Sequence, residues 1–271
     1  GELALFTKIL EVCPIPDLQI EELLTNIRKI LLLKRSLVLT DQNLTHFQVA
    51  LALQCFTNEY IFEETEEETK AVKSLEASLL KAISNNEELI DYDVLCLASY
   101  RSLSDYEWSR DMAPTPILKH LLERQVVDPA KESRLEHDIP KLAPLENEVS
   151  LGVQNQYEEN PYPRWVDTKL GSKTLSVTEV FSDLELKVPS HIDSLSEELK
   201  ILVAGCGTGQ HALDSASRFV NCHVTAIDLS LKSLAYAKRK SEELGFTNID
   251  YLQADLLDVE KLEKQFDIIE S

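Results

Sequence analysis

An all-helical N-terminal domain, followed by an α/β domain built on a parallel sheet, is the architecture this sequence predicts. Three observations carry it. Apolar residues recur at helical spacing through the first half of the chain. A glycine-rich loop after residue 204 joins an apolar strand to a helix. Strand and helix patterns then alternate with short connections to Ser271.

Residues 1–145 read as the helical domain. Over 17–34, Leu18, Ile20, Leu23, Leu24, Ile27, Ile30 and Leu31 fall at helical spacing. Asp41 caps a stretch to Phe62 that is apolar around most of its circumference, which predicts a central buried helix. Thr65 and Glu68 form a capping box ahead of Ala71, Val72, Leu75, Leu79, Leu80 and Ile83. The acids at 63–68 read as charges favoured at a helix N-terminus. Thr115-Pro116 and Asp128-Pro129 each set a cap before a proline at the first helical position. No repeat at the tetratricopeptide period is present. Residues 146–173 form a linker, and 175–186 predict a helix that packs on the sheet ahead of its first strand.

The α/β domain spans 174–271. Residues 201–204 are a short apolar run, buried on both faces of a sheet. Gly205-Cys206-Gly207-Thr208-Gly209 follows, and a helix begins at Gln210. Such a loop sets backbone N–H groups and a positive dipole end beside a ligand. A second strand, 222–227, ends in Asp228, 21 residues after Gly207. In a nucleotide-binding βαβ unit an acid at about that distance accepts ribose hydroxyls. A helix over 230–244 stopped by Gly245, a strand over 248–252 and a fourth strand over 266–270 complete the pattern.

Together, Gly205-Cys206-Gly207-Thr208-Gly209, Asp228, Gln253-Ala254-Asp255 and Phe266-Asp267-Ile268-Ile269 resemble class I methyltransferases that use S-adenosylmethionine (SAM), with a Rossmann-like fold. The resemblance implies that Gly205, Gly207 and Gly209 line the methionine part of the cofactor, with Cys206, Thr208 and Gln210 completing the loop. Asp228 would hold the ribose and Leu229 the adenine. Asp255 would take the adenine amino group, and the Leu256 N–H the ring. Many members carry an acid two residues before the first glycine, where this chain has Val203. A dehydrogenase site also pairs a glycine loop with an acid, but its usual spacing is G-x-G-x-x-G and it lacks the counterpart of Asp255.

Two prolines bracket a tyrosine in Asn160-Pro161-Tyr162-Pro163-Arg164-Trp165 and hold it extended. Read alone, the segment is equally a rigid linker whose aromatics cover a domain junction. Ahead of such a domain it resembles a bacterial methyltransferase subfamily, often with tetratricopeptide repeats or helical N-terminal domains, that includes rickettsial protein lysine methyltransferases. On that resemblance Arg164 supplies a bidentate contact to the cofactor carboxylate. Tyr157, Tyr162 and Trp165 wall the methyl-transfer pocket. Glu270, at the end of the fourth strand, is a candidate acceptor contact; a solvated terminus explains it equally.

Composition narrows the partners. A formal charge of −20 argues against nucleic acid and favours a basic protein or peptide, although solubility explains such charge as well. The one basic run, Lys238-Arg239-Lys240, is expected to face solvent. The five cysteines are scattered with no Cys-x-x-Cys, as in free thiols of a reducing compartment, and the expected location is cytoplasmic. No apolar run spans a membrane, no signal peptide is evident, and the histidines lack metal-ligand spacing. His211 is expected on a helix surface.

The expected function is transfer of a methyl group from SAM to a protein side-chain nitrogen such as lysine. The alternatives are a small-molecule methyltransferase and a helical interaction protein with a vestigial SAM-binding domain. The chain stops just after its fourth strand, where the resembling family continues. It therefore reads as truncated, with an edge strand open to self-association and catalysis weak or absent.

Overall fold

The computed structural model describes residues 2–35, 42–144, 147, 150–152, 154, 163–168, 170, 171, 173–185, 187 and 198–271. The chain divides into two compact units, Gly1–Ala130 with Trp165–Asp167, and Lys131–Arg164 with Thr168–Ser271.

The first unit is helical. It contains α1 (Glu2–Val12), α2 (Leu18–Leu33), α3 (Gln42–Thr57), α4 (Glu66–Ser84), α5 (Asp91–Ala98) and α6 (Lys119–Leu122), with α7 (Asp128–Asp138) crossing the division. Asp17 caps α2 by accepting from the Gln19 and Ile20 N–H groups. The expected stripe on α2 is buried only in part: Leu24 and Leu31 are inside, whereas Leu23 and Ile30 stand exposed. The predicted capping box of Thr65 and Glu68 is present at α4. As expected, α3 is central, buried on every side from Phe47 to Thr57. It feeds one core cluster through Val49, Ala52 and Leu53, and another through Phe47, Ala50, Leu51 and Cys55. Asp41, its expected cap, lies outside the described residues. The helix ends at Thr57 rather than Phe62, because the chain turns through Glu59 and Tyr60 at φ of 53° and 55°. Phe62 returns to the core from that turn, so the apolar pattern outlasts the helix.

Thr115 caps its turn by accepting from the Leu118 N–H. Asp128 does not cap: its backbone is helical (φ −60°, ψ −50°), and a π turn over Glu123–Val127 leads straight into α7. The Asp128 N–H reaches back to the Glu123 carbonyl. Pro129 has no N–H to return, and the widened turn accommodates its ring inside a continuing helix.

The second unit carries the α/β fold. Its elements are α8 (Val177–Asp183), β1 (Leu199–Ala204), α9 (Gln210–Arg218), β2 (Cys222–Asp228), α10 (Leu231–Glu243), β3 (Ile249–Gln253), a 3₁₀ turn (Leu256–Leu262) and β4 (Ile268–Glu270). The strands are parallel in the order β3-β2-β1-β4. β1 is therefore central, and the chain switches sides between β1 and β4. One face packs Ile201, Val203, Val224 and Ala226 against Val180 of α8, Ala212 and Ala216 of α9, and Leu234 and Ala237 of α10. On the other face Leu202, Ala204 and Ile227 meet Ala254 and Leu262. Residues 140–142 extend the β3 edge: the Gln253 N–H donates to Pro140, and Leu142 donates to Gln253, each at 2.9 Å.

The basic run on α10 does not face solvent as a whole, contrary to expectation: Lys238 and Lys240 are partly exposed and Arg239 is buried. Arg239 is only 4% exposed. It lies one turn after Ala235 on the buried face of α10. Its Nε donates to Glu132 of α7 at 2.7 Å, Nη1 pairs with Glu243, and the guanidinium stacks on Tyr236. An ion-paired arginine with its stem along a packed helix is buried at a position where a lone charge is not.

Candidate functional site

The glycine loop leaves β1 with Gly205, Gly207 and Gly209 all at positive φ. Their Cβ environments differ. A Cβ on Gly209 would stand 2.4 Å from the Ala237 Cβ, so this glycine lets α9 start against α10. A Cβ on Gly205 or Gly207 would meet nothing within 4 Å. Those two glycines keep open the space above the loop, where a ligand can approach the backbone. The Gly205 and Cys206 N–H groups are spent on the Ile227 carbonyl, and Gly209 on Cys206. The first-turn N–H groups of α9 have no partner within the helix and point out of its end.

Asp228 ends β2 beside the loop. Its Oδ2 accepts from the Gly207 N–H at 2.8 Å and its Oδ1 from the Ser230 N–H at 2.9 Å. Burial pushes this carboxyl above its ordinary pKa, and the N–H groups of Ser230, Gly207 and Leu229 oppose that shift. The Ala254 N–H donates to the Asp228 carbonyl, and Gln253 Nε2 to the Leu229 carbonyl at 2.8 Å, which ties the ends of β2 and β3. Asp255 is buried and accepts the Leu257 N–H at 2.9 Å as cap of the 3₁₀ turn. Leu256 beside it is exposed. Cys206 is buried, and its thiol pKa is raised well above the usual range, first by burial and then by the charge of Asp228.

Two residues of the loop region hold the segment after residue 162. The buried Thr208 donates its hydroxyl to the Pro163 carbonyl at 2.9 Å, and Gln210 Nε2 reaches Thr168 Oγ1 at 3.4 Å. The Arg164 guanidinium lies 4.0 Å from Glu132, the acid that also takes Arg239. A cofactor carboxylate at Arg164 must therefore share it with Glu132. Trp165 is buried and belongs to the helical unit. Tyr157 and Tyr162 lie outside the described residues.

Glu270, expected at the acceptor, has its Oε2 engaged by the Ser215 hydroxyl and 3.3 Å from His211 Nε2, both on α9. His211 is half-exposed, as a helix-surface residue, yet it is tied to Glu270. Sequence reasoning missed Ser215 and this cluster. The i, i+4 spacing of His211 and Ser215 is readable, but the pairing of the fourth strand beside β1, which brings Glu270 to them, is not. Among the described residues there is no metal-ligating cluster, and no helix is long and apolar enough to cross a membrane.

Part of the sequence is similar to known proteins. Residues 201–271 match the family profile described as "Methyltransferase domain". Over 94 residues the chain is 38% identical to a release factor glutamine methyltransferase of Flavobacterium psychrophilum, covering 35% of this chain and 32% of that protein. Over 69 residues it is 36% identical to a probable (S)-tetrahydroprotoberberine N-methyltransferase 2 of Papaver bracteatum, covering 26% and 19%. A solved structure of coclaurine N-methyltransferase bound to N-methylheliamine and SAH aligns at 21% identity and a TM-score of 0.27, covering 69% of this chain and 50% of that one. The chain thus spans from 19% to 32% of the length of these two curated relatives. The glycine loop, Asp228 at the end of β2 and Asp255 just after β3 all fall within the matched residues. Residues 201–271 of the second unit thus resemble a methyltransferase domain, on a parallel four-stranded sheet flanked by helices in a Rossmann-like fold.

Proposed function

We propose that the protein is a SAM-dependent methyltransferase acting on a side-chain nitrogen of a protein, a lysine in a basic segment. The observation that carries the cofactor half is the Asp228 carboxylate, which holds Gly207 and Ser230 with one oxygen each. With three backbone N–H groups on it, the carboxylate still has acceptor capacity for a ribose hydroxyl. Two relatives support the acceptor half: one is named for a glutamine in a release factor, the other as an N-methyltransferase. The charge of −20 favours basic segments over acidic ones.

When bound, the cofactor supplies a methyl group on a sulfonium sulfur, already a good leaving group. The chain's task is alignment, exclusion of water and a free lone pair on the acceptor. A lysine brings its own barrier: with a reference pKa of about 10.4, holding it neutral at pH 7 costs roughly 4.6 kcal/mol. Apolar and aromatic walls lower that cost, while carboxylates beside the nitrogen raise it. We assign Tyr157 and Tyr162 to those walls, Leu229, Asp255 and Leu256 to the adenine, and Arg164 to the cofactor carboxylate in competition with Glu132.

A small-molecule amine is the second reading, favoured by the relative named for (S)-tetrahydroprotoberberine. Incubation with methyl-labelled SAM separates the two, using an array of lysine peptides beside a panel of secondary and tertiary amines. Label on peptides supports the proposal, and label confined to amines supports the second reading. Cofactor binding without transfer to either sinks both and leaves a binding module.

A further inference from the structure

Glu270 pairs in parallel register with Val203 of β1. Register partners in a parallel pair point to the same face on strands about 4.8 Å apart. Val203 is fully buried and apolar, so β1 brings no charge to that face at the C-terminal end of the sheet, whereas β4 brings a carboxylate one strand away. Among the described residues, both contacts of that carboxylate, with Ser215 and His211, fall on Oε2. Oε1 keeps its lone pairs. Both residues sit on α9, the helix that the glycine loop opens. β1 and β4 flank the switch point of the sheet, where open α/β folds hold ligands beyond the carboxyl ends of their strands.

SAM and its product S-adenosylhomocysteine (SAH) end in an amino acid, which bears an ammonium as well as a carboxylate. The N-terminus of α9 suits the carboxylate and repels the ammonium. Asp228 and Asp255 end β2 and β3, on the far side of β1 from β4, and engage the backbone there. We propose that Glu270 binds the cofactor's α-ammonium group, supplying from β4 the charge that Val203 does not supply from β1. Ser215 and His211 hold the carboxylate in place from α9. The inference rests on the cofactor reading above and moves Glu270 from the acceptor to the cofactor.

Calorimetric titration with SAH and with 5′-methylthioadenosine tests it, because the second ligand keeps the nucleoside and sulfur but has no amino-acid end. Glu270→Gln is expected to weaken SAH by roughly tenfold or more, the size of a lost bond between charged groups, and to leave methylthioadenosine within about twofold. Ser215→Ala is expected to weaken SAH in the same direction by less. Equal loss for both ligands would make Glu270 a structural group and overturn the proposal. Unchanged SAH affinity would overturn it too, and return Glu270 to the acceptor. Wild-type protein that binds neither ligand would instead overturn the cofactor reading itself.

Discussion

Asp228 and Gly207 are joined by a 2.8 Å hydrogen bond from backbone N–H to carboxylate, while the other carboxylate oxygen takes the Ser230 N–H. One side chain thus sets both the glycine loop and the entry to α10. The loop is shaped before a ligand arrives, and little ordering is left for binding to drive.

Replacing Asp228 by Asn exchanges one acceptor oxygen for an amide that faces a backbone N–H. SAH affinity is expected to fall at least roughly tenfold while the far-ultraviolet dichroism is unchanged, since one charged acceptor is lost but no core volume. Binding in the wild type should also decline on acidification above the usual carboxylate range, because burial raises the Asp228 pKa and a protonated acid accepts ribose hydroxyls poorly. The Asn variant should lose that pH dependence. The stability of the free protein runs the other way. A carboxyl whose folded pKa is raised contributes fully below its unfolded pKa, and the contribution is lost as pH rises through the folded one. An Asn variant whose affinity tracks wild type across this range would refute the assignment.

The loop glycines should separate into two kinds. In Gly209→Ala the new Cβ meets Ala237 at 2.4 Å, with φ at 85°, so packing and backbone both resist. A loss of stability of about 2 kcal/mol or more is expected from thermal unfolding, and Ala237→Gly should restore only part of it. Gly207→Ala meets open space and carries only the cost of φ, about 1–2 kcal/mol, while its methyl enters the space proposed for the cofactor. Its SAH affinity should fall more than its melting temperature. Equal behaviour of the two variants would contradict the distinction.

The sheet and the loop were legible because their signals are local. An apolar run, three glycines, a cap and an acid at fixed spacing need no knowledge of what lies across the fold. Arg239 was misread because its partner Glu132 is 107 residues away and no periodicity encodes it. The cluster of Glu270, His211 and Ser215 depends on the register of β4 against β1. Asp128 failed as a cap because the same dipeptide that starts a helix is also accommodated by a π turn within one. Pairwise contacts across elements escape the sequence, while turns and periods do not.

Buried charge in the helical unit gives a stability test. Arg28 and Glu68 are 2% and 1% exposed. Arg28 donates to the Glu63 carbonyl and stacks on Tyr100, whose hydroxyl donates to Glu68 at 2.7 Å. Among the described residues the Arg28 Nε has no hydrogen-bond partner, so the pair is incompletely satisfied. Glu68→Ala should cost about 3–5 kcal/mol by leaving a buried guanidinium uncompensated, whereas Arg28→Met with Glu68→Leu should recover most of it. Chemical denaturation of the single and double variants reads this directly. A double variant no better than the single would show that the polar network, rather than the charge balance, holds α2 to α4.

Thiol chemistry offers a check on the core that needs no substitution. All five cysteines are free, four of them buried and Cys13 exposed. Burial pushes the Cys55 and Cys96 thiols up to about 12, and raises Cys206 and Cys222 as well. The reactive species is the thiolate, so at mildly alkaline pH these four are both unreachable and protonated. A chromogenic disulfide reagent should therefore modify one thiol rapidly in native protein and the remaining four only on unfolding. Cys13→Ser should abolish the fast phase and leave the slow one intact. A second fast thiol would mean that one of the two units opens more readily than its packing implies. Peptide mapping of the modified cysteine would then say which, because Cys55 and Cys96 lie in the helical unit and Cys206 and Cys222 in the α/β unit.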